Sequence, residues 1–222
     1  GGITYKTFAS GGSFAKYSHE FQTLSDVGED TIYVHEGKGL AINEEVYTDE
    51  VLADLGVSRD ELIEKKAVEV GNIFTLGTKF SDALDLTYTN EAGAQEKVFM
   101  GSYGIGPSRL MGLVAEHFSD DKGLVWPEAV APFKVYLVSI GEKGSEAADT
   151  LYNELQAQGA EVLYDDRKER PGAKFADAEL MGIPYRVTVS DRLVEANQYE
   201  LTARVDGETK ALTRDELIAK LV

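Results

Sequence analysis

The segment running from Trp126-Pro127 to Pro132 constrains the fold of this chain more than any other stretch, because the pattern of apolar residues changes across it. Before it, β-type runs follow one another with only short turns between them. Residues 3–8 alternate as a half-buried strand does, residues 18–24 form another, and Glu91-Ala-Gly93 separates residues 86–88 from 97–100 as a hairpin would. Consecutive strands joined in this way predict an antiparallel sheet. After the segment, residues 135–140 are a near-continuous apolar strand. Ala148, Leu151, Tyr152 and Leu155 then form a helical stripe ended by Gly159, and residues 162–164 are the next strand. That is a βαβ unit, whose strands are parallel and whose crossover is right-handed. The chain of 222 residues is therefore expected to hold an α+β antiparallel unit through residue 131 and an α/β unit at 132–222 with a mixed, mainly parallel sheet.

Local signals fill in both units. Residues 28–66 turn acidic and predict helices: one around Val46, Val51, Leu52 and Leu55 that Gly56 can end, and a second opened by the capping box Ser58-Arg-Asp-Glu61. Residues 68–81 return to β-type residues, with Thr78, Lys79 and Ser81 as the polar groups that strand could offer a ligand. Residues 119–132 read as a linker anchored by Trp126. Asp206-Gly207 closes a hairpin, and Thr213-Arg-Asp-Glu216 caps a final helix.

The chemistry concentrates in Met100-Gly-Ser-Tyr-Gly-Ile-Gly-Pro-Ser-Arg-Leu-Met-Gly112. A β-rich approach meets glycines that admit a ligand against the backbone, and Pro107 suits the first turn of a helix. Leu110, Leu113, Val114 and Phe118 give that helix one apolar face. Its free N–H groups favour an anion, to which Arg109 adds a full charge. The same glycines could instead serve only close helix–strand packing, or begin a dinucleotide fingerprint. The fingerprint needs glycine where Arg109 stands, and no lysine follows to make a phosphate-binding P-loop. In the strand at 18–24, His19 and Phe21 share one face while Glu20 and Gln22 share the other. Further on, the loop at 165–175 gathers Arg167, Lys168, Arg170 and Lys174 at the carboxyl end of a strand, where open α/β sheets bind ligands.

Composition excludes several classes. A formal net charge of −17 argues against general nucleic-acid binding, so any such contact must be local. The absence of cysteine removes disulfides and thiolate metal sites and fits a reducing compartment. His19, His35 and His117 lack metal-ligand spacing, so no side-chain metal site is expected. No apolar run reaches the length of a membrane span.

Ser10-Gly-Gly-Ser13, Ser18-His-Glu-Phe21, Gly28-Glu-Asp30, Glu69-Val-Gly71, Leu76-Gly-Thr-Lys-Phe-Ser81, Met100 to Gly106 with Arg109, and Trp126-Pro127 stand in this order along the chain. Together they resemble bacterial-type prolyl-tRNA synthetases. Tyr164-Asp-Asp-Arg167 and Gly172-Ala-Lys-Phe175 resemble the anticodon-binding domain shared by the histidyl, glycyl, threonyl and prolyl enzymes. The resemblance implies a partial class II catalytic domain at 1–131, with a shortened insertion at 31–67 and motif 3 at 98–118, followed by an anticodon-binding domain at 132–222. It implies ATP-dependent activation of proline, with Mg2+ accompanying the ATP, and transfer to tRNA(Pro) in a cytoplasmic homodimer. Arg109 matches the γ-phosphate clamp, and Gly104, Gly106 and Thr78 match nucleotide contacts. His19, Glu20, Gly101 and Ser102 match the proline pocket, and Asp166, Arg167 and Lys174 are the expected anticodon contacts. The family's motifs 1 and 2 are expected before Gly1, so the 222-residue chain alone is expected not to form prolyl-adenylate. The short stretch at 31–67 implies no editing in cis. A synthetase-like module that binds tRNA without chemistry is the alternative.

Overall fold

The computed structural model describes residues 2–222, which divide into two compact units, one through Leu113 and one at Val114–Val222. In the first, β1 (Thr4–Ser10) and β2 (Tyr17–Leu24) pair antiparallel, with Phe8 opposite His19. β3 (Asp30–His35) and β4 (Leu40–Asn43) form a second antiparallel pair. Helix α1 (Asp49–Leu55) is capped by the Thr48 hydroxyl and ended by Gly56 at φ 64°, a left-handed conformation that glycine adopts without penalty. The 15-residue β5 (Ile63–Gly77) runs beside β3 through residues 63–67 and beside β2 through residues 67–73. Since β1 also pairs with β4 in parallel, strands β1, β2, β5, β3 and β4 close into a ring. Ile32, Val34, Ala41 and Ala67 fill its interior, with Tyr5 and Leu24 packed against them.

Several local expectations are corrected here. Residues 30–43, expected to be helical, are largely strand, because Ile32 and Val34 alternate inward between Thr31, Tyr33 and His35. The capping box at Ser58 does form, with Ser58 N donating to Glu61 Oε2 at 2.8 Å, yet it opens only the single 3-10 turn Arg59–Glu61. Leu62 is already extended and β5 starts at the next residue. Thr78, Lys79 and Ser81 are not strand positions: α2 (Lys79–Ala83) begins as β5 ends, and Ser81 Oγ donates to the Thr78 carbonyl at 2.9 Å.

β6 (Thr87–Thr89) and β7 (Gln95–Lys97) form the expected hairpin. β8 (Met100–Ile105) leaves it and pairs with β5 on the edge shared with β3. Helix α3 (Pro107–His117) follows directly, and none of its residues is buried, so its apolar stripe is covered only in part.

In the second unit, residues 119–132 are folded and not a free linker. β9 (Ser119–Asp120) and β10 (Gly123–Leu124) pair, and Asp120 takes a bidentate bond from Arg204 at 2.8 and 2.7 Å. Trp126 N donates to the Gly182 carbonyl at 3.0 Å. These bonds tie residues 119–126 to the second compact unit.

The rest of this unit runs β11 (Val135–Ile140), α4 (Glu142–Ala157), β12 (Val162–Asp165), α5 (Pro171–Met181), β13 (Tyr185–Ser190), α6 (Asp191–Glu195), β14 (Tyr199–Ala203), β15 (Thr209–Leu212) and α7 (Arg214–Leu221). The sheet order is β12-β11-β13-β14-β15. β11 is parallel to both its neighbours, while the hairpin closed by Gly207 adds antiparallel pairings, so the sheet is evenly mixed and not mainly parallel. Leu151 and Leu155 of α4 and Leu217 and Leu221 of α7 pack with Val135, Leu137, Val187 and Leu201 on one face. Each buried leucine side chain contributes about 1.5–3 kcal/mol. Ala178 and Phe175 of α5 cover Tyr136 and Val138 on the other.

Candidate functional site

The pairings of β2, β5 and β8 sort the expected site residues by face. Glu20 opposes Asn72, which opposes Gly104, and Phe74 opposes Ser102. Directly opposite residues in antiparallel strands point to the same side. Glu20, Asn72, Ser102 and Gly104 therefore share one face. His19, Ile73, Tyr103 and Gly101 belong to the other, where the His19 ring packs on Phe8 at a centroid distance of 4.8 Å. Tyr103 and Ile105 are 78% and 75% exposed there, beside an apolar hollow of about 410 Å³ that Phe21, Ile73 and Leu110 also line.

On the first face, polar groups converge. Arg109 Nη1 donates to Glu69 Oε2 at 2.7 Å, while Asn72 Nδ2 donates to Glu69 Oε1 at 3.1 Å. Glu29 lies 3.8 Å from the other guanidinium nitrogen, and both carboxylates raise the arginine pKa. Glu20 Oε2 accepts from Gln22 Nε2 and from Asn43 Nδ2, each at 3.0 Å. Burial pushes the Glu20 carboxyl pKa up; those two amides pull it back in part, and Glu69 and Glu45 push it up again. For His19, burial followed by the nearby Lys6 charge lowers the imidazole pKa.

The glycines behave as a close-approach surface. A Cβ on Gly104 would sit 3.2 Å from Asn72 Oδ1, close enough that the amide would have to shift. Gly106 N donates to the Val70 carbonyl at 3.0 Å and its own carbonyl accepts from Leu110 N at 2.9 Å, which seats the start of α3 on β5. Thr78 is turned elsewhere, its hydroxyl donating to Asp82 Oδ2 at 2.9 Å. The face thus offers a carboxylate, a half-exposed arginine and free N–H groups at a helix start, a set suited to a zwitterion beside an anion.

In the second unit, the carboxyl ends of β11 and β12 meet the start of α5. Asp165, 5% exposed, accepts from Arg167 Nε at 2.8 Å, from Arg167 Nη2 at 2.7 Å and from the Tyr136 hydroxyl at 2.7 Å. Arg167 Nη2 also reaches Asp177 at 2.6 Å. The guanidinium holds the Asp165 carboxyl down to about 2, while Asp165 and Asp177 push the arginine up. Lys174 is buried, and its Nζ donates to the Asp165 carbonyl at 2.8 Å and the Ser139 carbonyl at 3.2 Å. Asp166, Lys168 and Arg170 are exposed around this network. Among the described residues, no group of three or more His, Asp or Glu side chains could hold a metal ion, and no helix is long and apolar enough to cross a membrane.

Residues 5–118 match the family model for the tRNA synthetase class II core domain (G, H, P, S and T). The chain belongs to the class II tRNA synthetases. Residues 134–222 match the anticodon binding domain that accompanies this core here. Proline–tRNA ligases of Geobacillus sp. (strain WCH70) and Levilactobacillus brevis are each 49% identical to the chain, over 156 and 155 residues, or 69% and 68% of it. The same enzyme of Methylibium petroleiphilum is 47% identical over 161 residues, 71% of the chain. The chain spans 27–28% of the length of these curated relatives. A crystal structure of prolyl-tRNA synthetase from Cryptosporidium parvum, complexed with L-proline and AMP, has the same fold, with a TM-score of 0.69 at 21% identity. It covers 99% of this chain and 41% of its own.

Within this chain, the sequence pattern singles out Arg109 and Glu20 but not the side chains that hold them. Gln22 could be read from its two-residue spacing to Glu20. Asn43, Glu69 and Asn72 come from other strands and carry no signal of their own. The same holds for Tyr136 and Asp177 beside Arg167.

Proposed function

We propose that this chain carries part of the site that joins proline to ATP as prolyl-adenylate, and a domain that holds the anticodon of tRNA(Pro). The observation that carries this reading is the convergence of Glu20, Gly104 and the Glu69-tethered Arg109 on one face of β2–β5–β8. In the reaction, an oxygen of the proline carboxylate attacks the α-phosphorus of ATP, and pyrophosphate leaves with its electron pair. Glu20 holds the ammonium group of proline. Ser102 on β8 walls the pocket with only the backbone of Gly101 beside it, and His19 supports β2 from its other face. Arg109 exchanges Glu69 for the terminal phosphates and neutralises charge that grows on the leaving group. Gly104 and Gly106 admit the nucleotide against the backbone, and Thr78 contributes a polar contact beyond β5. Mg2+ arrives on the ATP phosphates.

In the second domain, Asp166 and Arg167 face the anticodon bases. Lys174 serves them from beneath by tying the ends of β11 and β12 together. The protein works as a homodimer in the cytoplasm. Calorimetry with the non-hydrolysable ATP analogue α,β-methylene-ATP tests the clamp, with the adenylate mimic 5′-O-(N-prolyl-sulfamoyl)adenosine, which has no terminal phosphates, as control: Arg109→Ala is expected to weaken binding of the analogue at least tenfold and of the mimic little. Equal affinity for the analogue in both chains would refute the clamp.

A further inference from the structure

Gln22 has a use that its burial alone does not explain. It is 0% exposed, beside the apolar cluster of Ile32, Val34, Ala41 and Ala67 inside the ring. Its Nε2 spends both hydrogens on carboxylates, one on Glu20 Oε2 at 3.0 Å and one on Asp30 Oδ2 at 2.8 Å. Its Oε1 is buried with no partner. An orphaned buried carbonyl destabilises the fold, and an aliphatic side chain here would avoid that cost. The orientation is forced, since turning the amide over would set Oε1 against two carboxylates. Asn43 donates to the same Glu20 oxygen at 3.0 Å. Oε2 of Glu20 is thereby saturated by two amides, whereas Oε1 has no protein partner and is not among the buried orphans, so it faces solvent.

We infer that Gln22 is a positioning residue for substrate: its buried amide fixes the Glu20 carboxylate so that the free oxygen meets the secondary ammonium of a small cyclic amino acid. This rests on the proline reading of the site and extends it to a residue that never touches the ligand. Gln22 also keeps Glu20 ionised among like charges. Asp30 on β3, Glu45 after β4 and Glu69 on β5 all surround it; Glu29 and Arg109 stand beyond Glu69; Thr7 of β1 and Gly104 of β8 face it without charge, and Tyr5 opposes Gln22. Removing the donor raises the Glu20 pKa further, so ammonium binding should fail at a higher pH than in the parent chain.

The test is Gln22→Met, which keeps side-chain length and removes both donors along with the orphan. L-Proline and the prolyl-sulfamoyl mimic are titrated into both chains between pH 5.5 and 8, with melting curves alongside. Expected are an unchanged or higher Tm, an affinity for proline at least tenfold weaker at pH 7, and an acidic limb displaced to higher pH. Glu20→Gln should remove that limb altogether. Parent-like affinity and pH profile in Gln22→Met would overturn the positioning role while leaving the proline reading intact. A parent chain that binds neither ligand would overturn both.

Discussion

Arg109 and Arg167 were both expected from the sequence to touch ligands, and the structure treats them differently. Arg109 is half exposed and makes one strong bond, to Glu69, with Glu29 more distant. Arg167 is equally exposed, yet Nε and Nη2 are committed to a buried carboxylate and Nη2 to a second acid, with Tyr136 and Lys174 completing the network around Asp165. The first arrangement can exchange one carboxylate for a phosphate at little cost. The second holds a strand end, a loop and a helix start in one geometry, and leaves mainly Nη1 of its arginine uncommitted. An arginine is thus a ligand group or a scaffold according to how many of its donors the fold has already taken.

Three experiments bear on this contrast. The largest effect is expected from Lys174→Met, which strips two buried carbonyls of their donor. A loss of about 2–4 kcal/mol should lower the melting temperature of the second unit by roughly 10–20 °C. Fluorescence of Trp126, the single tryptophan, reports it. A melt unchanged within 2 °C would show that Lys174 is not part of the scaffold.

Acid unfolding should separate the two arginines next. The Asp165 carboxyl falls from 3.8 to about 2 in the folded chain, so its contribution, about 2 kcal/mol, is fully present above about pH 5 and is lost as pH falls towards 2. Urea melts of the parent chain and Asp165→Asn should differ at pH 5 and converge near pH 2. A difference that stays constant with pH would contradict the assignment. The smallest effect is expected from Arg109→Ala, whose stability should lie within about 1 kcal/mol of the parent, since its partners are solvent-accessible. A larger loss in urea melts would place Arg109 with Arg167 as scaffold.

The two units were also unequally legible. The βαβ pattern from residue 135 and the hairpin at Asp206-Gly207 could be read directly, because apolar period and turn residues are local. In the first unit the acidic side chains at 30–50 masked the two-residue period of Ile32 and Val34, and strand was read as helix. The capping box at Ser58 formed and still produced only one turn, since pairing of β5 with β3 outweighs a cap.

By itself the sequence determined the order of motifs, the glycine–arginine junction, and the separation of Glu20 and Gln22 from His19 and Phe21 by strand alternation. These follow from neighbours along the chain. Only tertiary structure decided that the strands close into a ring, that Gln22 is shared between Glu20 and Asp30, and that Arg167 and Lys174 are tied to Asp165. The physical reason is that a charged side chain's role depends on which partners reach it, and here those partners come from strands and helices that no local pattern connects.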